Sequence, residues 1–175
     1  MGSTANIPEI INNFNAYNNG NVLIGVTGAV TLPTFDAITE TISGAGILGE
    51  YETGVVGHYG SMSQEVPFRV LDNDIFSLMD PSSLVDLTFR MSAQSTVKAT
   101  GAIDYKGMRV VERGRLKGFN PGSLENGKQM NASVTLELLY ILVEIDGKTM
   151  LEYDKLNAVF KANGKDLLEK VRKFS

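Results

Sequence analysis

The segment from Glu40 to Met62 constrains this chain more than any other, because six of its residues are glycine and their spacing rules out most helical readings. Gly44-Ala45-Gly46-Ile47-Leu48-Gly49 fits the G-x-G-x-x-G pattern of a dinucleotide-binding turn. Such a turn works only between a buried parallel strand and a helix whose first N–H groups hold a pyrophosphate. Neither flank qualifies. Upstream, Asp36 to Ser43 mixes charged and hydroxyl residues where a continuous apolar run is required. Downstream, Gly54, Gly57 and Gly60 recur among Val55, Val56, His58 and Tyr59, and each interior glycine costs a helix about 1 kcal/mol relative to alanine. The segment therefore reads as a glycine-rich loop leading into an extended strand. A dinucleotide enzyme working through Gly44 to Gly49 is the alternative that this reading displaces.

Composition narrows the chemistry further. The absence of cysteine removes disulfides, thiolate metal sites and thiol nucleophiles, and suits a cytoplasmic folding history. With a single histidine, serine triads and histidine-rich zinc sites would all have to rest on His58. No catalytic residue, metal or cofactor is expected. Sixteen basic against twenty acidic residues leave a net charge of −4, which disfavours a protein that grips nucleic acid by neutralising phosphates. No run of eighteen apolar residues is present, so no membrane-spanning helix or membrane anchor is expected. The first twenty residues lack the basic and apolar regions of a classical signal peptide. At 175 residues the chain suits a single domain with arms.

Taken in order, residues 1–21 form an asparagine-rich arm ending in the turn signal Asn18-Asn19-Gly20-Asn21. Ile7, Ile10, Ile11 and Phe14 would anchor it as a short helical turn or an extended segment docked on a neighbour; a disordered terminus is the alternative. From Val22 to Leu32 the alternation predicts a strand, with Val22, Ile24, Val26, Val30 and Leu32 on one face. Residues 33–52 then make a long loop, and loops longer than about twelve residues usually have a job. A second extended region runs from Gly54 to Leu71, with Val66, Phe68 and Val70 facing the core. Paired with the Val22 strand, it would form a long hairpin with the glycine-rich stretch at its tip. Asp72 caps a short helix to Met79, with Ile75, Leu78 and Met79 on one face.

The second half is richer in strands. Val85 to Met91 alternates as a half-exposed strand, and Ala93 to Ala102 reads as a polar loop. Tyr105 to Leu116 is a strand with Arg109, Arg113 and Arg115 on one side, where Glu112 breaks the pattern. Lys117 to Asn131 reads as an exposed loop. Val134 to Ile145 is the strongest strand, and Asp146-Gly147 turns it into Thr149 to Asp154. Leu156 to Ala162 is extended, and Asp166 to Phe174 forms a short helix within the 163–175 terminal segment. Many strands, one or two short helices and no β-α-β alternation predict a mainly β fold, an antiparallel sandwich or barrel. Ser95-Thr96-Val97-Lys98 matches S-x-x-K without its companion motifs. Asp72, Asp74 and Asp80 are explained by a helix cap and a helix end without calcium.

What remains is surplus extended surface: an arm, a glycine-rich tip, two polar loops and a strand apolar on both sides. A self-assembling subunit uses such features, because neighbours complete its strand edges. The segments ANIPEIINNFNAYNNGNVLIGVTGAVTLP, ETISGAGILGE, DIFSLMDP, IDYKGMRVVERGR and SVTLELLYILVEIDGK closely resemble the major tail tube proteins of contractile-tailed phages and R-type phage-tail-like bacteriocins. The likeness spans Ala5 to Phe174; Met1 to Thr4 lie outside it and read as an expression remnant.

The resemblance implies a β-sandwich subunit that closes into homo-hexameric rings stacked as a hollow tube inside a contractile sheath, with baseplate and tail terminator proteins as further partners. It implies a location in a virion tail or bacteriocin particle, assembled in the host cytoplasm, with DNA only passing through. A type VI secretion tube shares the architecture and is the alternative machine. By position, the long loop of residues 33–52 would reach the next ring, placing Ile42, Gly44, Gly46, Ile47, Leu48 and Gly49 at the inter-ring interface. Polar alternates on the strands that continue the hairpin, Thr27, Thr31, Ser61, Ser63 and Glu65, are the candidates to face the lumen.

Overall fold

A computed structural model describes residues 5–175; the reading of Met1 to Thr4 falls outside them. Eleven strands follow in order: β1 (Asn6–Asn18), β2 (Asn21–Val22), β3 (Ala37–Ser43), β4 (Glu50–Tyr59), β5 (Ser63–Phe68), β6 (Val85–Val97), β7 (Ile103–Asn120), β8 (Ala132–Ile145), β9 (Lys148–Asp154), β10 (Val159–Ala162) and β11 (Lys165–Asp166). Two short helices, α1 (Asn73–Phe76) and α2 (Glu169–Phe174), complete the described residues. The fold is mainly β and its strand pairs are antiparallel, as the patterning predicts.

β8 holds the centre because its middle, Leu138 to Val143, is apolar on both faces. One edge of β8 pairs with β7; the other takes β5 along Ala132–Glu137 and β9 along Tyr140–Ile145. The large sheet runs β11-β10-β9-β8-β7-β6-β1-β2. It also returns on itself. After β2 the chain bridges Val26 to Phe68, with Thr27 N–H donating to the Pro67 carbonyl at 3.1 Å and Arg69 N–H to that of Gly25 at 2.9 Å. A hydrogen-bonded path thus runs from β8 through β7, β6, β1 and the 21–27 segment to β5 and back to β8. Val66, Phe68, Leu87, Leu136 and Leu138 fill its interior without measurable exposure.

Several expectations are corrected. Val22 to Leu32 is not a strand beyond Val22, because Gly25 sits at φ 93 and breaks the two-residue period. The faces exchange there: Leu23 is buried, while Val22, Ile24 and Leu32 are exposed. The partner of β4 is therefore β3, from within the expected loop, and not the Val22 strand. Val70 is exposed because β5 ends at Phe68. The N-terminal arm is not helical: it is extended and pairs with β6 of its own chain. Its polar side chains find polar partners, Asn12 Nδ2 donating to Gln94 Oε1 at 3.0 Å and Asn6 Nδ2 to Asp104 at 3.1 Å. That pairing carries β6 through the expected Ala93 loop to Val97, and β7 likewise runs past Leu116 to Asn120.

Short-range signals behave as read. The Asp72 carboxylate accepts from Asn73 N–H at 2.7 Å, and Ile75 and Leu78 behind that cap are fully buried. Asp146 and Gly147 both have positive φ, the hairpin geometry that Asp-Gly supports. Gly114 follows a register shift in β7, and a Cβ there would stand 2.4 Å from the Glu137 carbonyl oxygen. Glu112, which breaks the pattern of β7, is a genuine exception: it lies between Leu87 and Ile141 in the register, fully buried, with neither carboxylate oxygen bonded. Desolvation pushes its pKa from 4.5 up to about 8.

Candidate functional site

The β3–β4 hairpin stands apart from the main sheet, and its base explains how it is held. Phe35, Tyr59, Tyr153 and Phe160 pack edge to face, with Tyr59 centroids 5.3 Å from Phe35 and Tyr153 and 5.6 Å from Phe160. The Tyr153 hydroxyl donates to the Gly57 carbonyl at 3.0 Å, and Lys155 Nζ to that of Gly60 at 2.9 Å. A Cβ on Gly57 would meet Leu168 at 2.9 Å, so the terminal segment presses directly on this strand. Sequence reasoning missed this aromatic anchor. Phe35 and Tyr59 flanking a glycine-rich segment were its only local signal.

Beyond the anchor the ribbon is bare. Seven successive residues of β4, Glu50 to Val56, are exposed, as are Ala37 to Thr41 of β3. Ile38, Tyr51, Val55 and Val56 put apolar area into solvent on both faces. At the tip, Gly44, Gly46 and Gly49 all have positive φ, Ile47 N–H donates to the Gly44 carbonyl at 3.2 Å, and no atom lies within 4 Å of an added Cβ on these glycines. The tip leads into β4 and not into a helix, so it lacks the N–H cradle of a dinucleotide turn. Leu48 is completely exposed, while Ile42 and Ile47 are half-buried.

The hairpin is also the acidic part of the molecule. Residues 34–60 carry Asp36, Glu40, Glu50 and Glu52 and no lysine or arginine. Twenty acidic residues less these four leaves sixteen, which the sixteen basic residues balance, so the whole net charge of −4 lies on this segment.

The outward face of the main sheet is different, because it carries several ion pairs. Ser61 Oγ donates to Glu137 at 2.7 Å, and Lys117 Nζ donates to Glu137 at 3.0 Å and to Ser63 Oγ at 3.1 Å. Desolvation pushes the Glu137 carboxyl up, but the Ser61 and Lys117 hydrogen bonds and the Lys117 charge outweigh it and hold the pKa below the usual value. Arg113 reaches Asp86 at 3.3 Å and covers the Tyr140 ring at 4.7 Å; Arg109 pairs with Glu144, and Arg90 lies over Tyr17. The lumen candidates divide accordingly. Ser61 and Ser63 join one network and Glu65 is exposed on the same strand, whereas Thr27 and Thr31 lie on the irregular 23–36 segment. Thr27 Oγ1 donates to the Ala29 carbonyl at 3.2 Å, and the Thr31 carbonyl accepts from the buried Gln64 at 2.9 Å.

Among the described residues no three His, Cys, Asp or Glu side chains gather as a metal site. His58 is exposed on β4, and no helix among the described residues is long and apolar enough to cross a membrane. The geometry is that of a closed path of strands with an uncovered ribbon. The family described as phage tail tube protein FII matches residues 8–174. The chain belongs to that family. It is similar to the tail tube protein of Escherichia phage P2, with 27% identity over 168 residues that cover 95% of this chain and 96% of that one. It is similar also to the major tail tube protein of Serratia phage KSP20, 26% identical over 161 residues, covering 92% and 91% of the two chains.

Proposed function

We infer that this chain is the repeating structural subunit of the inner tube of a contractile phage tail or R-type bacteriocin, the hollow conduit driven through a target envelope when the sheath contracts. The supporting observation is the β3–β4 ribbon, uncovered on both faces in a chain of the tail tube family. An isolated two-stranded hairpin is marginally stable in water, so this one needs a neighbour to cover it. In this reading the subunits close into hexameric rings, the ribbon of residues 33–52 and onward reaches the next ring, and Ile42, Gly44, Gly46, Ile47, Leu48 and Gly49 lie at that contact. The sheath, baseplate and tail terminator are the remaining protein partners, and the role is structural, without catalysis or cofactor. Assembly takes place in the host cytoplasm, and the particle is the site of action.

The surface around Ser61, Ser63, Glu65 and Glu137 suits a lumen wall, because Lys117 and Arg113, already engaged with carboxylates, offer little to a passing polyanion. Thr27 and Thr31 remain candidates for the same wall. Negative-stain microscopy of concentrated protein is expected to find six-fold rings and tubes. Replacing Ile47 and Leu48 together with aspartate is expected to leave the circular dichroism unchanged and to abolish tubes. Full-length tubes from that variant would refute the assignment of the hairpin.

A further inference from the structure

We propose that the hairpin tip of one copy seats in the groove between β1 and the 23–32 segment of the next copy, with Leu48 entering its apolar floor and Glu50 facing Arg69. This rests on reading the hairpin as the stacking element and adds the surface that receives it. The groove has a volume of about 640 Å³. Ala16, Leu23 and Phe89 form its floor as an extension of the core, with Phe14 and Met91 packed beside them. Leu48, the most exposed large apolar side chain among the described residues, supplies what such a floor lacks.

Charge points the same way. Arg69 is the only charged residue lining the groove, is exposed, and makes no ion pair among the described residues. The incoming hairpin brings four carboxylates and no basic group, and Glu50 follows the tip directly. Opposite charges of this kind steer encounter and fix register.

The backbone is equally prepared. β1 pairs with β6 along its length, but its other edge is bonded only near Ala16 to Asn18, through β2 and Leu23. The outer edge from Asn6 to Asn15 is therefore open to an added strand. Tip and groove are different surfaces of one molecule, so their union is head-to-tail and can be repeated from copy to copy, where a self-complementary patch would stop at a dimer.

The chain has no cysteine, which allows a direct test in the full-length protein. A variant carrying both Leu48→Cys and Ala29→Cys, Ala29 lying on the groove wall, is polymerised and treated with a short bis-maleimide. A ladder of covalent oligomers is expected under denaturing conditions, with neither single-cysteine variant passing the dimer. Tubes that form without a ladder overturn the groove assignment and leave the stacking reading standing. A cross-link confined to one copy, consuming both thiols without a change in oligomer size, also overturns it. Failure of the unsubstituted chain to form tubes removes the stacking reading and the inference together.

A charge exchange covers the case in which the cysteine variant does not assemble. Arg69→Glu and Glu50→Lys are each expected to slow tube growth roughly tenfold, and the pair together to recover most of that loss. No recovery in the pair, with both singles folded, counts against the contact.

Discussion

β4 and β5 follow one another with only Gly60, Ser61 and Met62 between them, yet they live in different environments. In β5, Gln64, Val66 and Phe68 are fully buried while Ser63 and Glu65 face water. In β4, every residue from Glu50 to Val56 is exposed. β5 is stabilised by its own chain through β8 and the closed path of strands. β4 has only β3 along its length and the aromatic anchor at one end. Similar β-forming residues therefore give a finished strand in one place and an uncovered ribbon in the other. Strand formation and strand satisfaction are therefore separate questions: β5 is completed within its own chain, and β4 is not.

The largest expected effect breaks the β5 side. Phe68→Ala removes a fully buried ring from the closed interior and should destabilise the subunit by about 3–5 kcal/mol in urea unfolding. A loss below about 1 kcal/mol would mean that the interior collapses around the gap or was never tight.

Glu112 sharpens the same side by pH. Its carboxyl is raised from 4.5 to about 8 by burial, so the native state binds the proton more tightly than the unfolded chain. Its contribution is fully present below pH 4.5, declines as pH rises toward about 8, and is exhausted above that. Between pH 4.5 and pH 7 the decline amounts to on the order of 3 kcal/mol, at about 1.4 kcal/mol per pH unit. Glu112→Gln should flatten that part of the profile, and urea midpoints at pH 5, 7 and 9 measure it. Parallel profiles for the two proteins would show that Glu112 is not held neutral.

The smallest effect on stability belongs to the ribbon. Leu48→Asp and Tyr51→Ser alter exposed side chains and should change subunit stability by no more than about 0.5 kcal/mol. In dispersed subunits, β3 and β4 amides should exchange with solvent far faster than those of β5 and β8, and gain protection on assembly. Equal protection before and after assembly would erase the contrast between β4 and β5.

Local chemistry was legible in the chain. The Asp72 cap, the Asp146-Gly147 turn, β8 and the turn at Gly44 to Gly49 each depend on a few adjacent residues whose φ or hydrogen bonds have one good solution. The Val22 to Leu32 alternation misled because a single left-handed glycine, Gly25, exchanges the faces without altering the pattern of letters. The arm and the second half of β6 were illegible for another reason. Asn6 to Asn18 and Ala93 to Val97 are both polar, and each is a strand because of the other. Of the candidate site, the turn at the tip was legible in its glycines, but the anchor of Phe35, Tyr59, Tyr153 and Phe160 was not, since it gathers rings more than a hundred residues apart.

By itself, then, the sequence determined where the chain turns, where it extends, and that the result is mainly β, because those outcomes follow from left-handed residues, caps and the two-residue period. Only the tertiary structure decided which strands meet and which faces are covered. It paired β4 with β3, closed the sheet through the 25–27 segment and buried Glu112. It also left the hairpin uncovered. A pairing belongs to two distant segments at once, and burial belongs to whatever lies on top, so neither is written in any one stretch of residues.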